Sequence, residues 1–273
     1  MDALRQIDTW EAEHAAAAVV RPDGVVARHG PADHVFLWAS VTKPATALAT
    51  LVAVEEGAVD LDEPAGPPGS TVRHLLAHTS GIPFDGGPPI ARPGERRIYS
   101  SQGFDVLAAH VEALTEIPFP EYLAAAVFRP LGMQAELRGS AGADVHGTLA
   151  DLELFARELL RPTLVAPETL AEATSVQFPG LKGVLPGVGR FDPLDWGLGF
   201  ELKDAKPDHW TGTLTSPSTF GHFGGAGTFL WVDPERSLAL ACLTDREFDD
   251  WAKTAWPAFA DAVVSEETRA AGG

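Results

Sequence analysis

The sequence predicts an α+β protein: an antiparallel sheet flanked by helices, with a mainly helical segment inserted between two parts of the sheet. Three observations carry this reading. Short apolar runs separated by turn residues occur at 16–20 and 25–28 and return after position 196. Between about 33 and 190 the apolar residues recur at helical spacing instead. A last amphipathic stretch closes the chain at 249–265. On this division residues 1–32 and 195–273 form the sheet part, and residues 33–194 form the helical insertion.

Each element has its own signal. Leu4, Ile7, Trp10 and Glu11 share a helical face, so a helix is expected over 3–14. The runs 16–20 and 25–28 flank Arg21-Pro22-Asp23-Gly24, whose Pro and Asp-Gly predict a hairpin turn. Leu48, Leu51 and Val52 mark one face of a helix that Gly57 can end. Phe104, Leu107, Ala108, Val111 and Leu114 mark another, stopped by Pro118, and Leu152, Phe155, Leu159 and Leu160 mark a third. The Gly- and Pro-rich stretch 178–194 reads as a loop. Strands are expected at 196–202, 218–223, 228–232 and 237–244, the last two joined by Asp233-Pro234-Glu235-Arg236. In the closing helix Trp251, Ala255, Phe259 and Val263 share a face.

Composition excludes several classes. A chain of 273 residues buries roughly three-quarters of its extended surface and needs no disulfide or metal for a core. At 45% hydrophobic and 21% charged it is an ordinary globular sequence. Its 20 Lys plus Arg against 38 Asp plus Glu give a net charge of -18. Nucleic acid is therefore an unsuitable partner, because phosphate binding draws on Lys and Arg. The single cysteine, Cys242, lies in an apolar run, and the expectation is a small buried hydrophobe. The N-terminal segment carries Asp2, Asp8, Glu11 and Glu13 without an apolar stretch, unlike a secretory signal. No apolar run approaches the ~20 residues of a membrane span. With Met1 as the start, a cytoplasmic protein is expected.

Three segments carry chemistry. In Ser40-Val41-Thr42-Lys43, a three-residue spacing at a helix start puts hydroxyl and ammonium on one face. Serine is a weak nucleophile until a base takes its proton, and a desolvated lysine can do so. With 11 Ser and 5 Lys in the chain, this spacing alone carries little weight. Tyr99-Ser100-Ser101 holds one of only two tyrosines, and a phenol between lysine and serine can relay a proton. Gly221-His222-Phe223-Gly224-Gly225-Ala226-Gly227 crowds glycines into a strand, which marks close approach of backbone to a ligand and suits amides facing an oxyanion. No Gly-x-Ser-x-Gly elbow occurs. His74 and His78 stand four apart but lack a Glu after His74 and a third ligand, so no metal or other cofactor is expected.

Taken together, the segments resemble the serine β-lactamase and penicillin-binding protein superfamily. The nearest branch is that of class C β-lactamases, D-Ala-D-Ala carboxypeptidases and related carboxylesterases. The resemblance runs in order through S-V-T-K at 40–43, E-E-G-A-V-D-L-D-E-P at 55–64, R-H-L-L-A-H-T-S-G-I-P at 73–83 and Y-S-S at 99–101. It continues through F-R-P-L-G-M at 128–133, A-D-L-E-L-F at 150–155, W-G-L-G-F at 196–200 and H-F-G-G at 222–225.

The resemblance implies a β-lactamase/transpeptidase-like fold with the site between sheet and helices. It makes Ser40 the acylated nucleophile, Lys43 its proton acceptor or electrostatic partner, and Tyr99 the relay. It sets His222-Phe223-Gly224 in the place of the Lys-Thr-Gly strand, with the amides of Ser40 and Gly225 holding the oxyanion. Ser101 stands where the family has Asn, and His222 where it has a permanently charged lysine. Both changes weaken the grip on carboxylated lactams and leave the acyl-transfer groups in place. The expected activity is a serine hydrolase acting on small esters. The alternatives are a β-lactamase or D-Ala-D-Ala carboxypeptidase, an acyltransferase, and a non-catalytic binding module, against which the intact Ser40, Lys43 and Tyr99 argue.

Overall fold

A computed structural model describes residues 1–206 and 208–271. A 3-10 turn (Asp2–Thr9) leads into the hairpin of β1 (Ala15–Arg21) and β2 (Gly24–His29). The short strand β3 (Phe36–Leu37) precedes helices α1 (Thr42–Glu55) and α2 (Val72–Leu76), strand β4 (Arg97–Ile98) and helix α3 (Ser101–Thr115). Helices α4 (Phe119–Leu123) and α5 (Arg129–Leu131), strands β5 (Glu136–Leu137) and β6 (Val145–Gly147), and helices α6 (Leu149–Leu160) and α7 (Pro167–Ala173) follow. Strands β7 (Gly183–Leu185) and β8 (Gly189–Phe191) come before the return to the main sheet. That return runs through β9 (Glu201–Leu202), β10 (Phe220–Gly224), β11 (Thr228–Asp233) and β12 (Leu238–Thr244), and α8 (Asp250–Ala271) ends the chain.

The main sheet is antiparallel, in the order β2-β1-β12-β11-β10-β9. Its central strands are apolar at nearly every position because both faces are covered. Alternate residues serve opposite cores. Ala16, Ala18, Val20, Leu230, Val232, Ala241 and Leu243 face the helical side with α1 and α6. Ala17, Val19, Phe229, Trp231, Leu240 and Cys242 face Trp256, Phe259 and Val263 of α8. Cys242 is fully buried, as its apolar surroundings predict. Helix α1 is buried from Thr42 to Ala53, so it runs through the core and carries no solvent face.

Three local expectations are corrected. The opening helix over 3–14 is a 3-10 turn ending at Thr9, because Glu11 turns to φ 50° and the chain is claimed by β1 from Ala15. The strand expected at 196–202 pairs regularly only at Glu201–Leu202, with a single bridge from Trp196. The glycines bend that stretch over α1, and its amides find other acceptors: Leu198 N donates to Ala173 O and Gly199 N to Leu76 O. The loop expected at 178–194 contains β7 and β8, which form a small sheet with β4. Arg97 of β4 anchors it. Its buried guanidinium donates to the carbonyls of Leu194 at 2.6 Å, Gln177 at 2.7 Å, and Ala77.

Candidate active site

Ser40 lies in a 3-10 turn (Ala39–Val41) that runs straight into α1. The preceding Ala39 is held at φ 47°, where an L-residue costs of order 1–3 kcal/mol. Neighbouring elements fix this turn. Trp38 N donates to Val145 O at 2.8 Å, and the Thr228 hydroxyl donates to Trp38 O at 2.7 Å. Strand β10 comes so close that a Cβ on Gly224 would stand 2.6 Å from Trp38 O and 2.9 Å from the Ala39 Cβ. Glycine is therefore a steric requirement at 224.

Lys43, one turn beyond Ser40 at the start of α1, is fully buried. Its Nζ donates to Ser40 Oγ at 3.0 Å, Ser101 Oγ at 3.0 Å and Gly142 O at 2.7 Å, all neutral acceptors. It also lies 4.6 Å from the centre of the Tyr99 ring. Burial without a bonded carboxylate brings its pKa down to about 7, and the charge of Asp105 works against that fall. Asp105 sits one turn beyond Ser101 on α3. It accepts from Ser140 Oγ at 2.8 Å and Ala141 N at 2.9 Å, and so also secures the loop that presents Gly142 O.

Tyr99 is 8% exposed. Burial raises its pKa above the ordinary phenol value, with a hydrogen bond from Ser40 acting the other way. Its hydroxyl lies 3.4 Å from His222 Nε2. The Nδ1–H of His222 donates to Phe223 O at 2.7 Å, which fixes the tautomer and leaves the Nε2 lone pair toward the phenol. Burial, with the Lys43 charge adding to it, lowers the His222 pKa to about 3, so the imidazole is neutral. Gly225, just past the end of β10, is exposed, and among the described residues neither its amide nor that of Ser40 has a protein acceptor. A cavity of about 490 Å³ beside it is lined by Val35, Leu37, Ala39, Ala226 and Asp245.

Of the residues expected at the site, Ser40, Lys43, Tyr99, Ser101 and His222 meet at one point, with Gly224 and Gly225 along its edge. Phe223 does not join them. Strand alternation turns its ring to the opposite face, where it packs on Phe248 at 5.0 Å, Trp210 at 5.6 Å and Trp256 at 5.7 Å. His74 and His78 also part company: His74 bonds Thr71 Oγ1 through Nδ1, and His78 is buried beside Tyr99. Sequence reasoning missed Asp105 and Gly142. Asp105 had a signal, its place four residues after Ser101 on a helix; a backbone carbonyl such as that of Gly142 has none.

The chain is similar to proteins of known structure. A beta-lactamase from Mycobacterium bovis is 55% identical and superposes with a TM-score of 0.95 over 97% of this chain and 98% of that one. EstCE1, described as a hydrolase with promiscuous acyltransferase activity, shares the fold at a TM-score of 0.79. It is 18% identical over 96% of this chain and 97% of its own. A Salmonella heidelberg protein provisionally named D-alanyl-D-alanine carboxypeptidase is 24% identical over 200 residues, 57% of this chain and 46% of its own. The chain thus spans about half the length of the curated relatives it matches. The Beta-lactamase family profile covers residues 7–136 and 134–264, and on that match the chain belongs to the Beta-lactamase family of serine hydrolases.

Proposed function

We propose that the protein is a carboxylesterase that acylates Ser40 with small neutral esters. The observation that carries the reading is the 3.0 Å contact between Ser40 Oγ and a buried Lys43 whose acceptors are all neutral. An amine with a pKa near 7 is substantially unprotonated in neutral solution and can take the Ser40 proton as Oγ attacks the ester carbonyl. The free amides of Ser40 and Gly225 receive the oxyanion. In the resting site the Tyr99 hydroxyl donates to His222 Nε2; as the alkoxide departs, Tyr99 hands it that proton and recovers one from the Lys43 ammonium, so the proton taken from Ser40 leaves with the alcohol. Water then releases the acid.

Substrate choice follows from His222. A neutral imidazole offers no fixed charge to a substrate carboxylate, and a charge-assisted hydrogen bond is worth about 1.5–3 kcal/mol. Its loss corresponds to roughly 10–100-fold in affinity for anionic substrates. A second reading, lactam hydrolysis, is favoured by the 55% identity to a protein described as a beta-lactamase. Parallel assays with p-nitrophenyl acetate, p-nitrophenyl butyrate and a chromogenic cephalosporin separate the two. The ester reading expects a higher kcat/KM for the esters, and fails if the cephalosporin is the faster substrate. In the same experiment a fluorophosphonate probe should label the wild type and not Ser40→Ala. Labelling that persists and maps to Ser80 or Ser101 overturns the nucleophile.

A further inference from the structure

We infer that His78 is a positioning residue for Tyr99, holding the main chain on both sides of the phenol and so setting its place relative to Ser40. This rests on the reading of Ser40, Lys43 and Tyr99 given above. His78 lies just after α2, 1% exposed, with φ at 57°. Its carbonyl accepts from Ile98 N at 2.8 Å, and its ring Nδ1 accepts from Ser100 N at 3.2 Å. One residue therefore fixes the amide before Tyr99 and the amide after it. The ring itself lies 4.6 Å from the Tyr99 ring, with Trp196 at 5.0 Å and Phe104 at 5.2 Å closing the far sides.

The choice of imidazole needs explaining, because it leaves a buried group unsatisfied. Since Nδ1 accepts, the ring proton is on Nε2, and Nε2 has no partner among the described residues. A Phe or Leu at 78 would fill the same space without that penalty. What imidazole adds is the Nδ1 acceptor for Ser100 N. Burial, with the charges of Lys43 and Arg97 adding to it, keeps the ring neutral and the lone pair available. The consequence reaches beyond Tyr99. Ser100 caps α3 through Gly103 N at 2.9 Å and donates to Pro83 O at 2.8 Å, and the next residue, Ser101, touches Lys43. A shift of Ser100 displaces the phenol and one of the three acceptors of the amine together.

The test compares His78→Phe, which keeps a ring and loses the acceptor, with His78→Asn, which loses the ring and keeps an acceptor. Asn also tolerates the left-handed backbone. Misplacement of a reacting group costs up to about 100-fold. For p-nitrophenyl butyrate, His78→Phe should lose roughly 10–100-fold in kcat, with KM within about threefold. Its amides at 98–101 should exchange hydrogen faster. His78→Asn should stay within about threefold of wild-type kcat and keep the protection of those amides. Equal losses in the two variants, or a loss expressed in KM, overturn the inference. Should His78→Phe not fold, a tenfold fall in kcat for folded His78→Asn overturns it as well. A wild type that hydrolyses no ester defeats the esterase reading alone, and the exchange comparison then decides on His78 independently of activity.

Discussion

Replacing Asp105 by Asn isolates the electrostatic control of Lys43. Asp105 is the carboxylate that holds the Lys43 pKa up against burial, and it does so without bonding the ammonium; its Oδ1 accepts from both Ser140 Oγ and Ala141 N. Asparagine retains an acceptor oxygen for those groups and removes the charge. A unit charge acting through a partly buried site at an effective dielectric of ~20 is worth roughly 1–2 kcal/mol, which is roughly one pH unit. The sign follows from the charge: the carboxylate stabilises the ammonium, so its removal lowers the Lys43 pKa further, from about 7 toward roughly 6.

If Lys43 takes the Ser40 proton as the neutral amine, the acid limb of kcat/KM tracks the free-enzyme pKa of Lys43. In Asp105→Asn that limb moves down by about one unit. At pH 6 the neutral fraction rises from roughly a tenth to roughly a half, a gain of about fivefold, while at pH 8.5 the two enzymes converge. The assay is kcat/KM for p-nitrophenyl butyrate between pH 5 and 9 at fixed ionic strength. A limb that stays in place means that another group sets it. A limb that moves upward refutes the assignment of a neutral amine as the base.

Other substitutions test the remaining parts. Lys43→Ala and Tyr99→Phe should each lower kcat by at least ~100-fold while the far-ultraviolet circular dichroism and Tm stay near wild type; near-normal turnover removes that residue from the chemistry. Gly224→Ala should drive β10 away from Trp38 O and Ala39, with a fall of about 100-fold in kcat and a lower Tm, and unchanged activity would show that the close approach is dispensable. His222→Lys should narrow the ratio of ester to cephalosporin kcat/KM, and a ratio that does not move detaches substrate choice from the charge at 222.

How far these features could be read from the sequence depended on whether the signal was local. The β1–β2 hairpin, the β11–β12 pair and the helices α1, α3 and α6 follow from spacing and turn residues, and the structure has them within a few positions, although α1 is buried on every side and Leu114 of α3 is exposed. Periodicity failed where tertiary contacts decide. Leu4 and Ile7 pack into the core as a helical pattern predicts, yet β1 claims the chain by Ala15 and leaves room only for a 3-10 turn. Trp196 to Leu202 looks like a strand because it is apolar, but Gly199 must pass over Ala47 of α1, and the pairing is lost. At the site, side-chain identities were legible and their backbone supports were not. The resemblance sets Phe223 with His222 and Gly224 in one strand motif, and the two-residue period of a strand sends its ring to the other face. His78 stood out as half of an empty His pair; its partner is the amide of Ser100, forbidden to sequence reasoning because every residue but proline has one.

The site differs from the rest of the interior in where the acceptors of its buried amine lie. Several buried ions elsewhere are hydrogen-bonded within the protein: Glu201 accepts from His209 and Trp210, Asp233 accepts from Ser216 through both oxygens, and Arg97 spends its donors on carbonyls. Lys203 and Lys206, the other buried amines, donate to Thr215 and to the carbonyls of Asp195 and Leu202. Burial lowers the pKa of these two amines as well. Lys43 is just as deeply buried, yet two of its three acceptors are the hydroxyls of Ser40 and Ser101, which sit at partly exposed positions. A hydroxyl stabilises an ammonium less than a carboxylate does, so burial pushes Lys43 toward the neutral amine. The instability of the ammonium and the availability of a proton acceptor for Ser40 are thus one physical fact, and replacing either serine by a carboxylate would remove both at once.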